Sequence, residues 1–135
     1  MHKKKILVVD DDPAVLEYIH ELLTIHGYES VPCSDASTAL TLLASGTPVD
    51  LAIVDLNMPD MNGLEFYTRM MQLRPQIPCI MVTGQSSVES YLNAMHSGIF
   101  EYLNKPFRSR ELKAVVAAAL EKSTMISGGG PGLIQ

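Results

Sequence analysis

Short apolar runs rich in β-branched residues alternate along this chain with longer stretches whose apolar positions recur at helical spacing. That alternation predicts a parallel sheet flanked by helices. Residues 6–10, 29–33, 51–55, 79–83 and 100–103 read as strands. The first, third and fourth are almost continuously apolar, as in strands covered on both faces. Pro32 removes a ladder donor from the second and assigns it to an edge. Between them, Asp12-Pro13 reads as an N-cap with proline at the first helical position. Val15, Leu16, Ile19, Leu22 and Leu23 then form one apolar face before Gly27 ends the helix. Asp35 can cap a second helix carrying Ala39, Leu42 and Leu43 and closed by Gly46 and Pro48. A third runs from Gly63 to about Leu73, where Arg74-Pro75 stops it. The fourth has Val88, Tyr91, Leu92 and Met95 at helical spacing and ends at Gly98. The fifth begins after Ser109 and carries Leu112, Val115, Val116, Ala119 and Leu120.

Strict alternation of five strands and five helices, joined by right-handed crossovers, predicts an α/β flavodoxin-like fold: a doubly wound, five-stranded parallel sheet of order 2-1-3-4-5. In such a sheet ligands bind beyond the carboxyl ends of the strands, at the switch point between the first and third, so functional residues should stand just after strands. The 135 residues suit one domain, placed at 1–122. The helical pattern stops at Ser123, and Ser127-Gly128-Gly129-Gly130-Pro131-Gly132 has linker composition, so 123–135 reads as a flexible linker or tail.

Composition narrows the classes further. Fifteen acids against ten bases give a formal charge of -5, the wrong sign for a DNA or membrane-surface footprint. The longest apolar run, 114–120, is far short of the roughly 20 residues of a membrane span, and no signal peptide is expected from Met1 to Lys5. Cys33 and Cys79, both in strands, read as reduced core thiols and suggest a cytoplasmic setting. His2, His20, His26 and His96 have no metal-ligand spacing, and the methionines at 70, 71, 81 and 95 read as core filler.

The chemistry lies at strand ends. Asp10, Asp11 and Asp12 follow the first strand and Asp55 ends the third, so the topology gathers carboxylates that would repel one another without a cation. Oxygen ligands of this kind suit a hard octahedral ion, Mg²⁺ or Mn²⁺, that keeps waters for a phosphate. Acids at a helix start also serve simply as caps; Asp12 reads as that cap, and Asp10 and Asp11 as part of the site. Val82-Thr83-Gly84 supplies a hydroxyl with room beside it, and Lys105-Pro106-Phe107 an ammonium. Singly, each has an ordinary reading as a surface group. Together on one sheet edge, a hydroxyl and a cation facing carboxylates and a metal are the parts that hold a phosphoryl group.

The ordered set Ile6-Leu7-Val8-Val9-Asp10-Asp11-Asp12, Ile53-Val54-Asp55-Leu56-Asn57-Met58-Pro59-Asp60-Met61-Asn62-Gly63, Val82-Thr83-Gly84 and Tyr102-Leu103-Asn104-Lys105-Pro106-Phe107 resembles the receiver domain of two-component response regulators, over about residues 4–122. The resemblance implies a phosphorylation-activated signalling switch. Asp55 would accept a phosphoryl group from a phosphohistidine of a histidine kinase or phosphotransfer protein. Asp11 and Asp55 would ligate Mg²⁺ directly, Asp10 through water, and Asn57 through its main-chain carbonyl. Thr83 and Lys105 would bind phosphoryl oxygens, Gly63 would serve the turn into helix three, and Lys105-Pro106 would be cis. On phosphorylation, the resemblance implies, Thr83 would move and Tyr102 would turn inward, reshaping a surface of helix four, strand five and helix five that would draw on residues such as Ser90, Asn93, Arg110 and Lys113. Through it the domain would address an output domain or effector, or dimerise. Gln85, two residues after Thr83, is at a position that varies in the family and is thought to tune phosphoryl lifetime. On this reading the domain modifies only itself.

Three other readings compete. A haloacid-dehalogenase-like phosphatase also uses a strand-end Asp with Mg²⁺ but needs an acid two residues later, where Asn57 stands. A nucleotide or flavin site would need a glycine-rich loop where Asp10-Asp11-Asp12 stands. A degenerate receiver acting as a constitutive interaction module would lack Asp55, Lys105 or an acid, and all are present.

Overall fold

The computed structural model describes residues 3–129, with side chains to Lys122. Five strands, β1 (Lys5–Val9), β2 (Glu29–Cys33), β3 (Leu51–Asp55), β4 (Cys79–Thr83) and β5 (Glu101–Asn104), alternate with α1 (Pro13–Ile25), α2 (Ala36–Ala44), α3 (Gly63–Leu73), α4 (Val88–Ser97) and α5 (Ser109–Gly129). All pairings are parallel and the order is β2-β1-β3-β4-β5, with Pro32 on an edge strand as its missing donor requires.

The two-residue period of the strands divides the core in two. Leu7 and Val9 of β1, Ala52 and Val54 of β3 and Met81 of β4 face one side, where Leu43, Phe66 and Met70 cover them. Ile6, Val8, Ile53, Ile80 and Val82 face the other, under Ile19 and Leu23 of α1 and Leu112 and Val116 of α5. The central strands are therefore apolar at successive positions because both faces are dry.

Caps set the helix starts. Asp12, Asp35, Asn62 and Ser87 each accept a hydrogen bond from a first-turn backbone N–H. Gly98 closes α4 in the left-handed region, at φ 102°.

Four details differ from the sequence pattern. First, β1 ends at Val9; Asp10 still donates its N–H to the Cys33 carbonyl at 3.1 Å, but its side chain turns into the loop. Second, β5 begins at Glu101, with Phe100 joined to Cys79 by one backbone bond. Third, the helical spacing of Val88, Tyr91, Leu92 and Met95 does not mark a core-facing stripe. Val88 is 76% exposed, Leu92 50% and Tyr91 42%, and α4 buries only Ala94. This helix lies over the short edge strand β5, where there is less sheet to cover. Fourth, α5 continues past Lys122 to Gly129, because residues 123–127 contain no glycine or proline to break it. Residues 130–135 of the expected tail lie outside the described residues.

Candidate functional site

The parallel register brings the carboxyl ends of β1, β3, β4 and β5 to one edge. Asp55 is the last residue of β3, one side of it formed by the loop after β1 and the other by the end of β4. Leu56 donates to the Val82 carbonyl at 2.8 Å, and Lys105 donates its backbone N–H to the Thr83 carbonyl at 2.8 Å, so adjacent strand ends are tied before the side chains are considered.

Carboxylate oxygens of Asp10, Asp11 and Asp55 lie within 4.8 Å of one another. Asp10 is fully buried and Asp55 is 5% exposed, whereas Asp11 opens to solvent. The Lys105 ammonium is 2.9 Å from Asp10 Oδ2 and 3.6 Å from Asp55 Oδ1. Asp10 Oδ1 also accepts from the Asp12 backbone N–H at 2.9 Å, which fixes the carboxylate in the turn. Asp12 itself caps α1 through Ala14 and takes no part in the cluster. Taken singly Lys105 reads as a solvated cation, and as one of the set it reads as part of the site; the structure holds it half-buried between two carboxylates.

One ammonium faces three carboxylates, so the cluster carries excess negative charge. Burial, and then the Asp10 carboxylate, push the Asp55 carboxyl above the ordinary range; Lys105 and the Asn57 N–H pull it back only in part. Burial alone would lower the Lys105 ammonium, but its hydrogen bond to Asp10 and the charges of Asp10 and Asp55 outweigh that and hold it above its usual value. These oxygens, two buried and one open to water, fit a hard divalent cation in donor type.

Thr83 is fully buried. Its hydroxyl oxygen accepts from Asn57 Nδ2 at 3.1 Å and from the Gln85 backbone N–H at 3.0 Å, and Asn57 donates its own N–H to Asp55 Oδ1 at 3.3 Å. Asn57, singled out from sequence for its carbonyl, thus also links Asp55 to Thr83, through its backbone N–H on one side and its side-chain amide on the other, a link that spacing alone does not reveal. Lys105-Pro106 is cis.

The loop after Asp55 is shaped by close contact. A Cβ on Gly63 would lie 2.6 Å from the Asp55 carbonyl oxygen, 2.8 Å from Met81 Sδ and 2.9 Å from Leu56 Cα, so only glycine fits where α3 begins. Tyr102 lies apart from the carboxylates. It is 8% exposed, packs edge-on against Tyr91 and pairs its hydroxyl with Ser90 Oγ at 2.7 Å.

A family model described as response regulator receiver domain matches residues 6–117. The response regulator MprA of Mycolicibacterium vanbaalenii is 36% identical over 126 residues, which are 93% of this chain and 54% of that protein. The DNA-binding transcriptional regulator NtrC of Azospirillum brasilense is 38% identical over 124 residues, 92% of this chain and 26% of that protein. The chain therefore spans about half of one relative and a quarter of the other. A solved CheY-like receiver domain protein from Methanospirillum hungatei superposes with a TM-score of 0.84 at 32% identity, covering 90% of this chain and 97% of that one.

Proposed function

The chain belongs to the response regulator receiver domain family, and on that footing we propose that it is a phosphorylation-activated switch of a two-component phosphorelay, with Asp55 as phosphoacceptor. The observation that carries the reading is the placement of Asp55: nearly buried at a strand end, with Asp10, Asp11 and Lys105 around it and more negative than positive charge in the cluster.

An Asp55 carboxylate oxygen attacks the phosphorus of a phosphohistidine on a partner kinase or phosphotransfer protein. A P–O bond forms as the P–N bond breaks, and the imidazole leaves. Mg²⁺, or Mn²⁺, would be held by Asp11 and Asp55 directly, by Asp10 through water and by the Asn57 carbonyl; when bound it neutralises charge on the phosphoryl oxygens and on the carboxylates. Lys105, 3.6 Å from Asp55 Oδ1, would supply a second positive charge. In the acyl phosphate the Thr83 hydroxyl turns its proton to a phosphoryl oxygen. Attack of water on phosphorus later breaks the acyl P–O bond and regenerates the Asp55 carboxylate with release of phosphate, the only turnover assigned to the domain.

The readout is the surface of α4, β5 and α5, where Tyr102 answers Thr83. Exposed Val88, Tyr91 and Leu92 give that surface apolar area for an effector, an output domain or a second copy of the chain. Residues 1–122 are assigned to the receiver and 123–135 to a linker or tail. No helix among the described residues is long and apolar enough to cross a membrane. Incubation with Mg²⁺ and acetyl phosphate, followed by intact mass, tests the proposal. One added phosphoryl group that is lost in Asp55→Ala supports it; labelling unchanged by that substitution overturns it.

A further inference from the structure

We propose that Ser90 is a positioning residue of the switch, holding the Tyr102 ring inward and tying it to the first turn of α4. The proposal rests on Tyr102 being the readout element. Ser90 is the third residue of α4, and its hydroxyl has three partners: it accepts from the Ser87 backbone N–H at 3.0 Å, donates to the Ser87 carbonyl at 3.1 Å and lies 2.7 Å from the Tyr102 hydroxyl. A serine hydroxyl has one proton and two lone pairs. With the proton on the Ser87 carbonyl and one lone pair taken by the Ser87 N–H, the remaining lone pair accepts the Tyr102 O–H. Ser87 returns the bond by accepting from the Ser90 N–H at 3.0 Å, closing a capping box.

The same atom therefore completes the start of a helix and anchors the buried tyrosine. An outward swing of Tyr102 must leave Ser90 and the edge contact with Tyr91, whose ring centroid is 5.4 Å away. A displacement of the first turn of α4 must likewise carry the anchor from the ring. The loop that leads into this turn starts at the site itself, where the Gln85 N–H rests on the Thr83 hydroxyl. A hydroxyl drawn toward a phosphoryl group would release that N–H, and Ser90 is where the loop's movement meets the ring.

The test uses the full chain with ¹³C-labelled tyrosine, the Tyr102 ring signal being identified by its loss in Tyr102→Phe. Spectra are taken with and without beryllofluoride and Mg²⁺. Ser90→Ala should lower the ratio of inward to outward Tyr102 roughly 2- to 10-fold, the effect of one neutral hydrogen bond. Ser90→Thr, which keeps the hydroxyl, should restore it. Ser87→Ala, which weakens the helix cap but leaves the pair, should keep the ring inward. A Tyr102 signal unchanged by Ser90→Ala overturns the proposal, and so does equal displacement by Ser87→Ala, which would make the effect one of helix fraying. Asp55 should still be labelled by acetyl phosphate in Ser90→Ala. A wild-type ring that ignores beryllofluoride would instead sink the reading of Tyr102 as the readout, while displacement by Ser90→Ala alone would still uphold the anchoring contact.

Discussion

Replacing Asp55 with asparagine should stabilise the protein when no divalent ion is present. The oxygens of Asp10 and Asp11 lie within 4.8 Å of Asp55, so each unit charge repels it by about 3 kcal/mol at an effective dielectric of about 20. Water around exposed Asp11 weakens its share. The Lys105 ammonium at 3.6 Å returns about 5 kcal/mol of attraction. Repulsion and attraction nearly cancel, and the burial penalty of a charge 5% exposed tips the balance against it. An asparagine can still accept the Asn57 N–H. Asp55→Asn should therefore gain about 1–2 kcal/mol, or roughly 3 °C in Tm per kcal/mol for a chain of this size, in urea and thermal unfolding followed by circular dichroism in a chelator. Mg²⁺ at about 100 times its Kd should add about 2.7 kcal/mol to the wild type and much less to the variant. A variant less stable than the wild type in chelator, or Mg²⁺ stabilising both equally, would refute the electrostatic account.

Other outcomes follow from the same geometry. Because the folded state holds the Asp55 proton more tightly than the unfolded chain does, stability from that proton is fully present below the ordinary carboxylate value and is lost as pH rises through the raised one. In chelator the stability gap between Asp55→Asn and wild type should thus close as pH falls through that window; a gap independent of pH would contradict it. Lys105→Met keeps the stem but leaves buried Asp10 without its 2.9 Å partner, and should cost about 3 kcal/mol in chelator, with Mg²⁺ recovering a part, as read by urea unfolding. Gly63→Ala forces a Cβ to within 2.6 Å of the Asp55 carbonyl oxygen and should cost about 1–3 kcal/mol while slowing acetyl phosphate labelling; unchanged labelling and stability would show that the loop yields freely.

The parallel sheet and its order were legible because the signals were strong and local: unbroken apolar runs for buried strands, Pro32 for an edge, and Asp12, Asp35 and Gly98 for helix ends. Once the order is known, the meeting of Asp10, Asp11, Asp55, Thr83 and Lys105 at one sheet edge follows from topology. What spacing could not supply was the side of a helix that would be covered. The Val88, Tyr91 and Leu92 stripe has helical period, but α4 sits over a short edge strand and leaves it in water. Nor could it supply pairings between distant positions. Lys105 meets Asp10 across 95 residues only through the registers that join β1, β3, β4 and β5, and Ser90 meets Tyr102 only through the placement of α4 beside β5. A change in composition at residue 123 is not by itself a helix stop, and α5 runs on to Gly129.

The most direct measurement is the chemical identity of the modified residue. Protein treated with acetyl phosphate and Mg²⁺ is reduced with borohydride, which converts an acyl phosphate on aspartate to homoserine, and its peptides are sequenced by mass spectrometry. Homoserine at position 55 alone, absent when the divalent ion is chelated, is the predicted result; homoserine at position 10 or 11, or none anywhere despite a phosphoryl gain in intact mass, would contradict the account.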